Sequence, residues 1–354
     1  MTKTYASLHL AMASLALLGA SGCAGDDNEA LLTDAEHEQQ AVLAVKEIID
    51  GELDAFAKAT VALQEATPEP DADGWSAEAD AEAVGKMRAA WKEARRAYEA
   101  VEGAIAVVFP DLDASTDARY DQFIEVSADA DLFDDQGVIG VHAVERILWA
   151  DAIPESVLAF ESALPSYSPA AFPATQAEAD GFKNKLVARL VADAAKMRDD
   201  FAGLALEASS AYRGVIGSIE EQVEKVDKAA TGEEESRYAQ HTLGDMRANL
   251  EGGKKTYQAF QRWVLSKGEE GSALDAEILA AYARLDAGYG DVEGDALPPL
   301  PEGWSSEAPT EEDLATPFGE LYSLVRSESD PNQEGSLSAS MTASASLLGI
   351  RALP

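Results

Sequence analysis

Apolar residues recur at helical spacing along almost the whole chain. After Thr33 or Asp34, either of which can cap a helix, Val42, Val45, Ile49, Leu53, Phe56 and Val61 predict a helix over about 35–66. The stretch from Pro68 to Gly74 breaks it. Ser76 opens a second long helix that runs to about Val108 and carries Met87, Trp91, Tyr98 and Ile105. Phe109 to Asp121 is acidic, begins with proline and reads as a loop. A third helix follows around His142 and ends before the prolines at 154 and 165. The pattern from Gln176 to about Glu224 predicts one long helix, with Gly214 and Gly217 allowing a bend. Glu233 opens another through Leu243, Met246, Leu250, Tyr257, Phe260 and Trp263. Shorter helices are expected over 274–285 and 311–327, and a last one from Leu337 to Leu348. No run alternates apolar and polar residues as a half-buried strand does. The chain therefore reads as all-α, a helical bundle made of two adjacent antiparallel four-helix-type bundles.

Composition supports this and adds a constraint on partners. Aromatic residues make up only 7% of the 354 residues, and long stretches lack proline, a mixture that favours helices. Against 65 acidic residues stand 27 basic ones, for a net charge of −38. Nucleic acid is a poor partner for such a surface, because phosphate binding depends on Lys and Arg. Cations are attracted to it, although solubility alone also accounts for an acidic surface.

The single cysteine, Cys23, excludes an internal disulfide and a thiolate-rich metal site. It ends an N-terminal pattern of its own. Lys3 is the only charge before an apolar stretch from Leu8 to Leu18, which is followed by Gly19-Ala-Ser-Gly-Cys23. The stretch is short for a membrane span and suits a signal-peptide core. Small residues before a lone cysteine resemble the lipobox of a bacterial lipoprotein. The expected organisation is a signal peptide over 1–22, a flexible tether over 23–32 beginning at an acylated Cys23, and one helical domain over 33–354. Such a chain would be held at the cell envelope by its lipid anchor alone.

Four stretches carry candidate chemistry. Gly140-Val-His142-Ala-Val-Glu145 places an imidazole and a carboxylate at i and i+3, on one helix face. Together they suit a borderline metal ion such as iron, zinc or manganese, while the plain alternative is a core histidine beside a solvated glutamate. Tyr98-Glu99-Ala-Val-Glu102 repeats the spacing with two carboxylates, and Asp117-Ala-Arg119 offers a carboxylate beside a guanidinium. His241-Thr-Leu-Gly-Asp245, with Asn249, is the fourth. Trp91 and Trp149 read as core.

In this order the four stretches resemble the imelysin-like family, which includes periplasmic iron-uptake lipoproteins of EfeO type. Gly140, His142 and Glu145 match its GxHxxE motif. Arg95 to Glu102, Phe109 to Arg119 and Glu233 to Gly252 look like its flanking helices and loop. One departure is that Ala239-Gln240 intrudes between Tyr238 and His241. The resemblance implies an all-helical fold with a metal, iron or else zinc, near the His-x-x-Glu motif. His142 and Glu145 would be ligands, with Glu102 and Asp117 completing the set. Glu99, Arg119, His241 and Asp245 would stand next to them, Arg119 orienting a carboxylate. It further implies a role in iron acquisition, with an iron permease or another envelope uptake component as partner.

The family takes its name from a proposed metallopeptidase activity, so an enzyme is the competing expectation. The sequence holds no His-Glu-x-x-His: His37-Glu38 is followed by Gln39, Gln40 and Ala41. Arg146 takes the position where the inverted motif needs a second histidine. Nucleophile elbows, phosphate loops and dinucleotide fingerprints are also missing. These readings favour a non-enzymatic metal-binding protein, with the peptidase second and a surface lipoprotein that has lost its metal third.

Overall fold

A computed structural model describes residues 32–351. The expected signal peptide, Cys23 and most of the tether lie outside the described residues. Among the described residues the chain forms helices and no strand. Helix α1 (Asp34–Ala66) begins in a capping box in which Thr33 and Glu36 satisfy each other's backbone amides. Its stripe of Val45, Ile49, Leu53, Phe56 and Leu63 is buried. The second predicted helix is two: α2 (Ala81–Glu99) and α3 (Glu102–Val108), separated by a break at Ala100 and Val101.

The predicted loop after it is also helical. Pro110 occupies the first turn of α4 (Pro110–Asp117), where its missing N–H costs nothing and its fixed φ suits a helix. Asp111 and Asp113 in the same turn favour the positive end of the helix dipole. Then come α5 (Tyr120–Ile124), α6 (Gly140–Leu148) and α7 (Glu155–Ser162). A short helix α8 (Gln176–Gly181) runs through a π turn over Phe182–Leu186 into α9 (Val187–Ala202), and α10 (Ala208–Ala230) follows. The long helix expected from Gln176 is thus interrupted at 203–207 and not at its later glycines. Gly217 lies inside α10 and lets α3 cross it closely, since a Cβ there would run into the Gly103 carbonyl.

Helix α11 (Thr242–Leu265) starts nine residues later than the pattern predicts, and α12 (Glu269–Gly290) is longer at both ends. The chain closes with α13 (Glu311–Leu314), α14 (Pro317–Ser329) and α15 (Leu337–Leu347). Two bundles result, and they share α11. In the first, α1 runs antiparallel to α2, α9 and α11. Glu52 accepts from Arg96, Lys46 reaches the Phe201 carbonyl, and Lys267 pairs with Asp34. In the second, α10, α11, α12, α14 and α15 pack together through pairs such as Tyr257 with Asp275, Arg284 with Glu328 and Tyr212 with Met341.

Two alanine substitutions separate close helix contact from helix propensity. Gly217→Ala is expected to lower unfolding free energy by about 1–3 kcal/mol, because α3 must move away from the new methyl. Gly51→Ala, in α1 with open space around it, is expected to raise it by about 0.5–1 kcal/mol. Urea unfolding of both variants checks the contrast.

Candidate metal site

The two bundles meet around a buried set of charges. Helix α6 sets one side of it. Gly140 begins the helix at φ 88°, and a Cβ there would lie 2.5 Å from the Thr116 carbonyl oxygen. Glycine therefore lets α6 start against the last turn of α4, which brings Asp117 to His142. The indole N–H of the buried Trp91 donates to the Val141 carbonyl at 2.9 Å and fastens α6 to α2.

The i, i+3 pairing of His142 and Glu145 is present, and its geometry is specific. Glu145 Oε2 lies 2.7 Å from His142 Nδ1. Its other oxygen accepts the backbone amides of Tyr238 at 2.9 Å and Ala239 at 2.8 Å. A carboxylate only accepts, so Nδ1 carries a proton, and Nε2 is the nitrogen that becomes free whenever the ring is neutral. Nε2 is fully buried, makes no hydrogen bond, and faces Asp117 Oδ1 at 3.5 Å. Atoms of Asp117, His142 and Glu235 lie within 4.8 Å of one another. Glu145 thus orients the ring from the Nδ1 side, and Glu235 completes the group of three. The amides bound to Glu145 also explain the late start of α11: they turn inward, and Gln240 adopts φ 51° just before His241.

The remaining carboxylates are tied to two cations. Arg95, wholly buried, bonds Asp117 and Glu99, reaches Glu235 at 2.8 Å and lies 3.3 Å from Asp245. Lys225 lies 2.9 Å from Glu102, 2.9 Å from Glu235 and 3.2 Å from Glu99. Asn249 donates to Glu102 at 3.4 Å. Asp245 also accepts from Ser236. Of the other residues singled out in the sequence, Arg119 donates to the Glu233 carbonyl at 2.9 Å and lies 3.7 Å from Asp121, apart from these pairs. His241 stands elsewhere, with its ring edge-on to Trp91 and 3.2 Å from Asp295.

Burial opposes charge throughout, and the partners decide the outcome. Burial pushes Glu99 up to about 7 against the pull of Arg95 and Lys225. Glu102 rises well above the usual carboxylate range through burial and its neighbours Glu221 and Glu99. Burial also acts on Glu235, but Lys225 and Arg95 hold it well below that range. Asp117 is likewise held low by Arg95 and His142 despite burial. His142 is raised to about 9: burial resists its charge, and the pull of Asp117 and Glu145 outweighs it.

Beside the cluster opens a cavity of about 520 Å³, lined by the carboxylates of Glu102, Asp113, Asp117, Glu221, Glu224 and Glu235. Arg119 and Lys228 also stand at its wall, but acids outnumber them, so the cavity favours cations. Lys225 and Glu235 are the members that spacing alone does not reveal. The visible signal for Lys225 is a lysine on the same buried stripe of α10 as Tyr212, Val215, Ile219 and Val226.

Arg95→Ala is expected to destabilise the fold by about 3–5 kcal/mol, because it strands several buried carboxylates. Lys58→Ala removes an exposed pair with Asp54 and is expected to cost less than about 1 kcal/mol. Denaturant titration of the two variants measures the difference.

The family model described as imelysin matches residues 51–312. The iron uptake system component EfeO of Yersinia pseudotuberculosis is 31% identical over 203 residues, which are 55% of this chain and 44% of that protein. EfeO of Escherichia coli O1:K1 is 26% identical over 203 residues, 57% of this chain and 44% of its own. The match thus spans less than half the length of these curated relatives. No helix among the described residues is long and apolar enough to cross a membrane. With a helical fold throughout and the GxHxxE glycine, histidine and glutamate built into one buried site, the chain belongs to the imelysin family.

Proposed function

We propose that this protein is a cell-envelope component of iron acquisition that takes its iron at Asp117, His142 and Glu235. The observation that carries the reading is the buried, unbonded Nε2 of His142, which becomes a ligand atom once the ring gives up its second proton. A fully buried ring nitrogen with no hydrogen-bond partner is costly unless something binds it. Two carboxylates share the space in front of it. One nitrogen and two oxygens form a donor set that suits iron and also accepts zinc. Glu145 sets the ring's tautomer from behind, as carboxylates behind metal-bound histidines do. Glu99 and Glu102 stand beside the ligands, with Lys225 between them and Glu235. The acid-lined cavity supplies the approach.

Iron as cargo is supported by the relatives, which are named as iron uptake system components. In the same reading Cys23 carries the lipid, residues 23–32 form the tether, and the helical domain meets a permease or another uptake component of the envelope. The peptidase reading asks for a general base free to act at the metal. Glu145, the acid of the motif, is instead committed to Nδ1 and two backbone amides.

Purified protein stripped of metal is expected to bind ferrous iron or Zn2+ and to melt at a higher temperature when loaded. At an ion concentration 100 times the Kd, the gain is about 2.7 kcal/mol. His142→Ala with Glu145→Ala is expected to abolish the rise while leaving helical circular dichroism nearly unchanged. Glu145→Gln alone is expected to weaken binding about 10–100-fold. Wild type that shows neither bound metal nor a melting shift contradicts the reading.

A further inference from the structure

The carboxylates near the imidazole form two groups, and a side chain already fills one of them. Glu99, Glu102 and Glu235 each place an oxygen within 4.8 Å of the others, a spacing compact enough for a small divalent ion. The Lys225 ammonium sits against all three, at 2.9 Å from Glu102, 2.9 Å from Glu235 and 3.2 Å from Glu99. Its side chain is 1% exposed. Helix packing alone calls for an apolar residue at this point of α10, where Gln222, Val226 and Ala229 are buried around it. A buried ammonium is expensive unless carboxylates surround it, so its presence reflects the charge it meets. Glu235 belongs to both groups. Whatever balances Glu99 and Glu102 therefore also acts on the carboxylate that faces His142.

We propose that Lys225 is a specificity-determining residue that takes the place of a second metal ion. Its ammonium fills the Glu99–Glu102–Glu235 group and limits the chain to one ion, at Asp117, His142 and Glu235. This rests on the site reading given above. Methionine at 225 keeps most of the stem and removes the charge, so a divalent ion can then take the ammonium's place beside Arg95, which touches Glu99 and Glu235 but not Glu102. Arginine keeps the charge and should keep the group closed.

Native mass spectrometry with Zn2+ as the probe counts the ions. One per chain is expected for wild type and for Lys225→Arg, and two for Lys225→Met. Adding Glu102→Gln to Lys225→Met is expected to return the count to one. Zn2+ is also expected to raise the melting temperature of Lys225→Met by more than that of wild type. If Lys225→Met does not fold alone, it is expected to fold when diluted from denaturant into Zn2+. Failure to fold even then means that no ion replaces the ammonium, and overturns the inference. One ion in wild type and one in folded Lys225→Met overturns it and leaves the Asp117–His142–Glu235 site standing. Two ions in Lys225→Arg overturn it as well. No ion in wild type overturns both.

Discussion

Charge balance around Arg95 and Lys225 holds the centre of this molecule together. Glu99, Glu102, Asp117, Glu235 and Asp245 are gathered where water barely reaches. An unpaired buried carboxylate costs several kcal/mol. Arg95 joins α2 to the end of α4, to the segment before α11 and to α11 itself. Lys225 joins α10 to α3 and to the same segment. The elements that build the two bundles therefore meet in one electrostatic unit, and separating them would strand charge. Fold and candidate site depend on the same ion pairs.

The helical character was legible because it is local. A capped start at Thr33 and the stripe from Val45 to Leu63 need no partner to be recognised. The His142–Glu145 contact was legible for the same reason, since i and i+3 are neighbours on any helix. What the ring faces was not. Lys225 and Glu235 reach Glu99, Glu102 and Arg95 across more than a hundred residues of chain, and only tertiary packing brings them there. Boundaries failed where backbone groups serve the site. Helix α11 begins later than its apolar pattern because the amides of Tyr238 and Ala239 bind Glu145 rather than continuing a helix. The acids of α4 give its stretch the pattern of a solvated loop, while Asp117 turns to Arg95 and His142.

The GxHxxE motif acquires a physical meaning in this setting. The glycine admits α4, the histidine buries an Nε2 that makes no hydrogen bond, and the glutamate fixes Nδ1 as the nitrogen that keeps its proton. Glu145 and Glu235 then divide the work: one orients the ring and the other shares the space it faces. Burial pushes Glu99 up to about 7 and Glu102 well above the usual carboxylate range, and Asp117 and Glu145 raise His142 to about 9 against burial, so an ion that takes Nε2 must first displace a proton.

Anomalous diffraction from crystals equilibrated with ferrous iron would test the central claim most directly, because it locates the ion without reference to activity. The expected result is a peak between His142 Nε2, Asp117 and Glu235, with Lys225 still seated against Glu99 and Glu102. Iron found only on exterior acids, or beside His241 and Asp295, with none at Nε2, would contradict it.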